Sequence, residues 1–195
     1  MENISHNSRL LLIVDPQIDF INGSLPVAGA TEAMNHLARY VNEHGDKYTH
    51  ICLTCDRHPM RHSSFAKYGG EWPPHCIESS VGAAVWPALM EALEKYAGKV
   101  AFLYKGEDVS RDEYSIFCSE KGKGDLDKIF KENEISEIDI CGLAGDVCVA
   151  STLTDALTLY PAIRYKLLPY YTASLDNGEK VAQMINDLKN VRTNY

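Results

Sequence analysis

Five short apolar segments, at 10–14, 50–55, 100–104, 137–142 and 163–168, alternate along this chain with five helix-patterned ones, at 31–44, 86–96, 125–134, 147–160 and 179–191. Repeated strand–helix alternation leaves few solutions. Each strand must return parallel to its predecessor, and helices must cover both faces of the sheet. The expected fold class is therefore α/β, a three-layer α/β/α arrangement around a central, mainly parallel sheet. The last helix shows the pattern well: Val181, Met184, Ile185, Leu188 and Val191 recur at a 3.6-residue period after the Asn177-Gly178 turn. With 195 residues and no repeat, low-complexity stretch or linker, residues 1–195 read as a single domain. Two long loops, 16–30 and 57–85, interrupt the alternation, and loops of such length in a small domain usually carry function.

Composition narrows the partners. A formal charge of −8, from 19 basic and 27 acidic residues, argues against a nucleic acid or an anionic membrane, whose interfaces need basic patches. The opening MENISHNS lacks the apolar core of a signal peptide, and no apolar run reaches the length of a membrane span, so the expected address is the cytoplasm. There the six cysteines are expected to be reduced. Cys52 and Cys55 resemble a redox pair in spacing, but at i and i+3 on a strand they face opposite ways and read as core. Cys118 and Cys141, flanked by apolar residues, also read as structural. No heptad or long apolar stripe decides the oligomeric state, so a homo-oligomer remains open.

Open α/β sheets bind ligands beyond the carboxyl ends of their strands, and the residues found there are informative. Asp15 follows LLLIV, Asp56 follows ICLTC, Lys105 follows AFLY, and the turn Leu143-Ala144-Gly145-Asp146 follows IDICG. Asp56 and His58, two apart, point the same way if the chain stays extended. His75, seventeen residues after His58 in WPPHC, could complete a carboxylate-plus-two-imidazole set for a borderline divalent metal. Solvated histidines beside a capping aspartate are the equally open alternative. Cys148 opens a helix directly after the small-residue turn. A helix N-terminus favours the thiolate, and free N–H groups in the turn can stabilise an oxyanion. A small core side chain would fit the same local sequence. An acid/base group, Asp15, and a cation, Lys105, at neighbouring strand ends shift that balance towards a nucleophile.

Five ordered segments then carry a resemblance: VDPQIDFINGSLPVAGA (14–30), DRHPMRHSSF (56–65), WPPHC (72–76), YKGEDVSRDEYSIF (104–117) and CGLAGDVCVASTLTDA (141–156). Together they resemble the isochorismatase-like cysteine hydrolases, and within them the nicotinamidase/pyrazinamidase branch. The superfamily likeness rests on Asp15, Lys105 and Cys148, the branch likeness on Asp56, His58 and His75.

The resemblance implies an isochorismatase-like hydrolase fold and an amidohydrolase acting on nicotinamide, yielding nicotinate and ammonia within NAD salvage. It assigns Cys148 as nucleophile, Asp15 as proton acceptor and donor, and Lys105 as the cation between them. Backbone amides of Ala144 and Cys148 would form the oxyanion hole, with a cis peptide at Leu143–Ala144. Asp56, His58 and His75 would hold one divalent metal, zinc foremost with iron or manganese as alternatives, and that metal would take the pyridine nitrogen. His62 falls where relatives have a histidine near the metal that ligates in some members and not in others, and is placed beside the metal; Phe20 and Trp72 would flank the ring. Arg57 and Gly145 depart from the family pattern and put substrate fit in question; the segment after Pro169 departs further. The alternatives are an amidase for another small amide or ureido compound, a metal-water hydrolase with a structural Cys148, and a non-catalytic metal-binding scaffold.

Overall fold

A computed structural model describes residues 8–193, with side chains to residue 190. The first seven residues, read above for the absence of a leader, and the Val191 side chain lie outside the described residues. Five strands, β1 (Ser8–Val14), β2 (His50–Asp56), β3 (Val100–Lys105), β4 (Ile135–Gly142) and β5 (Arg164–Thr172), form one sheet in the order β3-β2-β1-β4-β5. Every pairing is parallel. The α-helices are α1 (Ile18–Ile21), α2 (Ala30–His44), α3 (Pro87–Glu94), α4 (Glu120–Glu132), α5 (Ala150–Leu159) and α6 (Glu179–Thr193).

Strand periodicity builds the layers. Leu11 and Ile13 of β1 pack with Met34, Leu37 and Val41 of α2 and Leu89 and Leu93 of α3. Leu10, Leu12 and Val14 face the other way, onto Leu126 and Phe130 of α4, Leu153 of α5 and Val181 and Met184 of α6. Burying such a side chain contributes roughly 1.5–3 kcal/mol, so two apolar faces on one strand fix its central place in the sheet. Cys52 and Cys55 fall in opposite layers, and burial pushes the Cys52 thiol up to about 12. They are core residues. Among the described residues no helix is long and apolar enough to cross a membrane.

Several boundaries differ from the sequence expectation. Helix α4 begins at Glu120 rather than 125, capped by Ser119, whose side chain accepts the Gly122 N–H. Gly122 and Gly124 weaken the helical pattern, yet a Cβ at Gly122 would lie 2.5 Å from Ile116 Cδ1 and 2.9 Å from the Tyr104 carbonyl, so close packing keeps the glycine. Strand β5 runs through Pro169 to Thr172; its register with β4 shifts between Leu167 and Thr172, so Pro169 falls in an irregular stretch of an edge strand, where proline is tolerated. Loop 16–30 contains the helical turn α1. Cys118 is exposed, contrary to the structural reading.

β1 neighbours both β2 and β4, so the direction of winding changes between β1 and β4. Chains leaving the two strands diverge there and open a crevice. Asp15 and the turn bearing Cys148 are the first residues beyond it.

Candidate active site

Lys105 ends β3 with its side chain fully buried, and its ammonium organises the floor of the crevice. Nζ lies 2.8 Å from Asp15 Oδ2, 2.6 Å from Asp56 Oδ1 and 3.6 Å from Cys148 Sγ. Burial works against its charge, but Asp15 and Asp56 outweigh it and Lys105 holds its proton more tightly than a free lysine. Asp15 adopts a left-handed conformation (φ 46°), which turns its carboxylate off the end of β1 into the crevice. Its Oδ1 accepts the Thr54 hydroxyl at 2.7 Å and its N–H donates to the Thr54 carbonyl at 3.0 Å.

Cys148 sits in a π-helical turn, Gly145–Val149, and α5 proper starts only at Ala150. The expected α-helical N-terminus is thus replaced by a wider turn, a geometry common at functional sites. Burial pushes the Cys148 thiol well up, against the pull of Lys105, and burial likewise raises the Asp15 carboxyl. One ligand atom each of Asp15, Asp56 and Cys148 lies within 4.8 Å of the others, so the thiol stands beside the Asp15 carboxyl group. The resting pair is therefore a thiol beside a carboxylate of enhanced basicity, in place of the free thiolate that the helix-terminus argument favours. The peptide Leu143–Ala144 is cis. Leu143 N–H donates to the Val14 carbonyl and Gly145 N–H to the Ala173 carbonyl, whereas among the described residues the Ala144 amide between them has no such partner, and Ala144 lines the cavity.

Asp56, His58 and His75 converge, with one ligand atom from each lying within 4.8 Å of the others. His58 Nδ1 is 2.8 Å from the Gly106 carbonyl and His75 Nδ1 is 2.8 Å from the Pro73 carbonyl. Carbonyls only accept, so both Nδ1 atoms carry the hydrogen and both Nε2 lone pairs remain available. Burial, with His75 and His62 nearby, lowers His58 to about 3, so the ring is neutral as a metal ligand must be. The three residues fit a divalent ion. Gly106 (φ +74°) is needed for this arrangement, since a Cβ there would lie 2.5 Å from His58 Cε1. His62 packs 4.3 Å from the His58 ring, but Nδ1 accepts the Ser64 N–H at 3.1 Å and Nε2 faces the Asp108 carbonyl at 2.7 Å. Both of its nitrogens are engaged, and it lies outside the converging set.

Above this floor is a cavity, open at its mouth, lined by Phe20, Leu25, Val27, Trp72, Tyr114, Val147 and Leu175 together with Asp56, His58, His75, Ala144 and Cys148. Phe20 and Trp72 are both part of its wall. Tyr114, whose hydroxyl accepts the Trp72 indole N–H at 3.1 Å, was not anticipated, nor was the buried Glu113, which accepts the Gly106 N–H at 2.7 Å. Both lie in the segment 104–117, but among DVSRDEY nothing local separates them from solvated charges. Arg57 does not line the cavity. It points off the opposite side of the strand, paired with Glu107 and 4.1 Å over the Tyr104 ring. Gly145 is also turned away: a Cβ there would meet Ser174, with Val181 at 2.7 Å and Thr172 at 2.8 Å. Its role is close packing, and neither departure reaches the cavity wall.

With this geometry established, the relatives are informative. A family model described as the isochorismatase domain matches residues 9–159. The nicotinamidase of Escherichia coli (strain K12) is 33% identical over 172 residues, 77% of each chain. The nicotinamidase/pyrazinamidase of Mycobacterium tuberculosis is 36% identical over 156 residues, 76% of this chain and 78% of that one. Among solved structures, the pyrazinamidase of Pyrococcus horikoshii in complex with zinc aligns with a TM-score of 0.77 at 28% identity, covering 94% of this chain and 95% of that one. The chain belongs to the isochorismatase family, on its nicotinamidase/pyrazinamidase branch.

Proposed function

We propose that this protein hydrolyses nicotinamide to nicotinate and ammonia, with Asp15, Lys105 and Cys148 carrying the reaction and Asp56, His58 and His75 holding a divalent metal, zinc foremost. The observation that carries the reading is the buried Lys105 ammonium, which contacts Asp15, Asp56 and Cys148 at the floor of an aromatic-lined cavity. The named relatives supply the substrate class.

The residues divide the work as follows. Asp15 accepts the Cys148 proton as Sγ attacks the carboxamide carbon, so charge leaves the thiol only as the bond forms. The carbonyl oxygen becomes an oxyanion facing the backbone N–H groups of Ala144 and Cys148, preorganised donors of the kind typically worth about 3–4 kcal/mol each in such sites. Collapse breaks the C–N bond, Asp15 returns its proton to the departing ammonia, and a thioester remains on Cys148. Asp15 then takes a proton from water, which attacks the thioester, releasing the acid and restoring the thiol. Lys105 keeps a positive charge beside every one of these anionic stages. A metal held by Asp56, His58 and His75 would offer an open position to the pyridine nitrogen. Phe20 and Trp72 would sandwich the ring, leaving its carboxamide over Sγ.

Ammonia release from nicotinamide tests the reading. Native protein should produce it and Cys148→Ala should not. Release by the Ala variant at the native rate would make Cys148 structural, while native protein inactive on nicotinamide but active on another amide would overturn the substrate.

A further inference from the structure

β1 and β2 pair only as far as Val14 and Thr54. Beyond that point β1 turns away through the left-handed Asp15 and through Pro16, which has no N–H to donate. Asp56 still pairs with Lys105 on the β3 side. Its N–H and carbonyl towards β1 face a missing strand, and buried backbone groups left in that state are costly. The Gln17 side chain fills the gap. Gln17 Oε1 accepts the Asp56 N–H at 2.7 Å, and Nε2 donates to the Asp56 carbonyl at 2.7 Å. A second hydrogen on Nε2 goes to the Ala83 carbonyl at 2.9 Å. The residue is fully buried, and its own backbone bridges Val85 in antiparallel fashion. Only a primary amide on a two-carbon stem can accept once and donate twice at these positions.

We propose that Gln17 is a positioning residue for the metal site: its amide stands in for the absent β1 ladder and fixes Asp56, while its bond to Ala83 ties the far end of the 57–85 loop to the same point. The inference rests on the reading of Asp56, His58 and His75 as metal ligands and extends it to a residue that touches neither metal nor substrate. Because Gln17 is two residues from Asp15, one short turn sets both the proton acceptor and the metal-binding carboxylate. Outer-shell partners of ligands typically change metal affinity 10–100-fold, and Gln17 belongs to that class.

The test is zinc affinity by chelator competition, with cobalt visible absorption as a second readout, on wild type, Gln17→Met, Gln17→Glu and Asp56→Ala. Phe130→Leu, in the opposite layer, serves as a stability control. Gln17→Met keeps shape but loses every bond, and Gln17→Glu keeps the acceptor but sets a carboxylate against two carbonyls. Both should bind zinc about tenfold or more weakly and alter the cobalt spectrum, while Phe130→Leu, with a similar drop in melting temperature, keeps wild-type affinity. Loss of affinity in Asp56→Ala with wild-type affinity in both Gln17 variants would overturn the positioning role alone. Equal affinity loss in Phe130→Leu would reduce the effect to general destabilisation. Wild-type zinc binding undiminished in Asp56→Ala would instead remove the metal-site reading, and the inference with it.

Discussion

Asp15, Lys105 and Cys148 sit within a residue or a turn of three strand ends, whereas His58 and His75 hang from the loop between β2 and α3, whose only regular element is the single turn Ala66–Tyr68. The first group is aligned by sheet register, in which Asp56 pairs with Lys105 and Val14 with both Thr54 and Gly142. The second is aligned by individual hydrogen bonds. His58 N–H donates to the Cys76 carbonyl at 2.9 Å, Glu78 N–H to the His58 carbonyl at 2.8 Å, and Cys76 N–H to Asp19 Oδ2 at 2.7 Å. Lys105 joins the two groups, because it contacts Asp15 and Asp56 together. Under the proposed function the difference would separate tasks: bond-breaking would belong to the part held by the sheet, and grip on the ring to a loop that can vary without disturbing the sheet.

Removing the shared cation should produce the largest effect. Lys105→Met leaves two buried carboxylates without their partner, and breaking such a pair costs roughly 3–5 kcal/mol. Denaturant unfolding should show that loss, and activity should fall on the order of 10⁴-fold, the scale of groups that act as a unit. A fully active Lys105→Met would detach the cation from the chemistry.

Metal removal should be selective where loss of Lys105 is not. Stripped protein, or His75→Ala, should lose about 10²-fold in kcat/KM on nicotinamide, roughly 2.7 kcal/mol. Benzamide, which lacks the ring nitrogen, should lose little. Equal losses on both amides would move the metal from grip to bond-breaking.

The thiol gives a pH test. Because Cys148 titrates well above its usual 9.0, its thiolate fraction grows tenfold per pH unit through the neutral range. Alkylation of substrate-free protein should therefore rise about 100-fold from pH 7 to pH 9. A plateau near pH 6 would mean a preformed thiolate and would remove the need for Asp15 as proton acceptor in the attack.

Gly145→Thr should have the smallest kinetic effect of these changes. The new side chain meets Ser174, Val181 and Thr172, not the cavity. Overpacking should cost about 1–3 kcal/mol in thermal or denaturant unfolding, with kcat/KM on nicotinamide within about twofold of wild type. A large kinetic loss without loss of stability would place Gly145 in the pocket.

The two groups also differ in how legible they were. Strand ends follow from apolar periodicity, so Asp15, Lys105 and the turn before Cys148 could be brought to one rim from spacing alone. The local alternation of Asp56, Arg57 and His58 was equally readable, and Arg57 does point away. The return of His75 was an open possibility in spacing and an implication of the resemblance, because it depends on Asp19 and Gln17 reaching across from another loop. Such contacts leave no periodic trace. For the same reason Glu113 and Tyr114 carry no local signal, and the departure at Gly145 puts substrate fit in question on sequence grounds although Thr172 of β5, Ser174 and Val181 of α6 simply leave it no space. The π-helical turn was also hidden, because 147–160 has an ordinary helical pattern and the insertion lies in its first turn.

The most direct test is mass spectrometry of protein quenched during turnover of nicotinamide, with peptide mapping of the adduct. A nicotinoyl thioester on Cys148, absent from Cys148→Ala and still formed slowly by metal-stripped protein, is the predicted result. Steady turnover with no adduct on Cys148, under conditions that trap a synthetic thioester there, would contradict it.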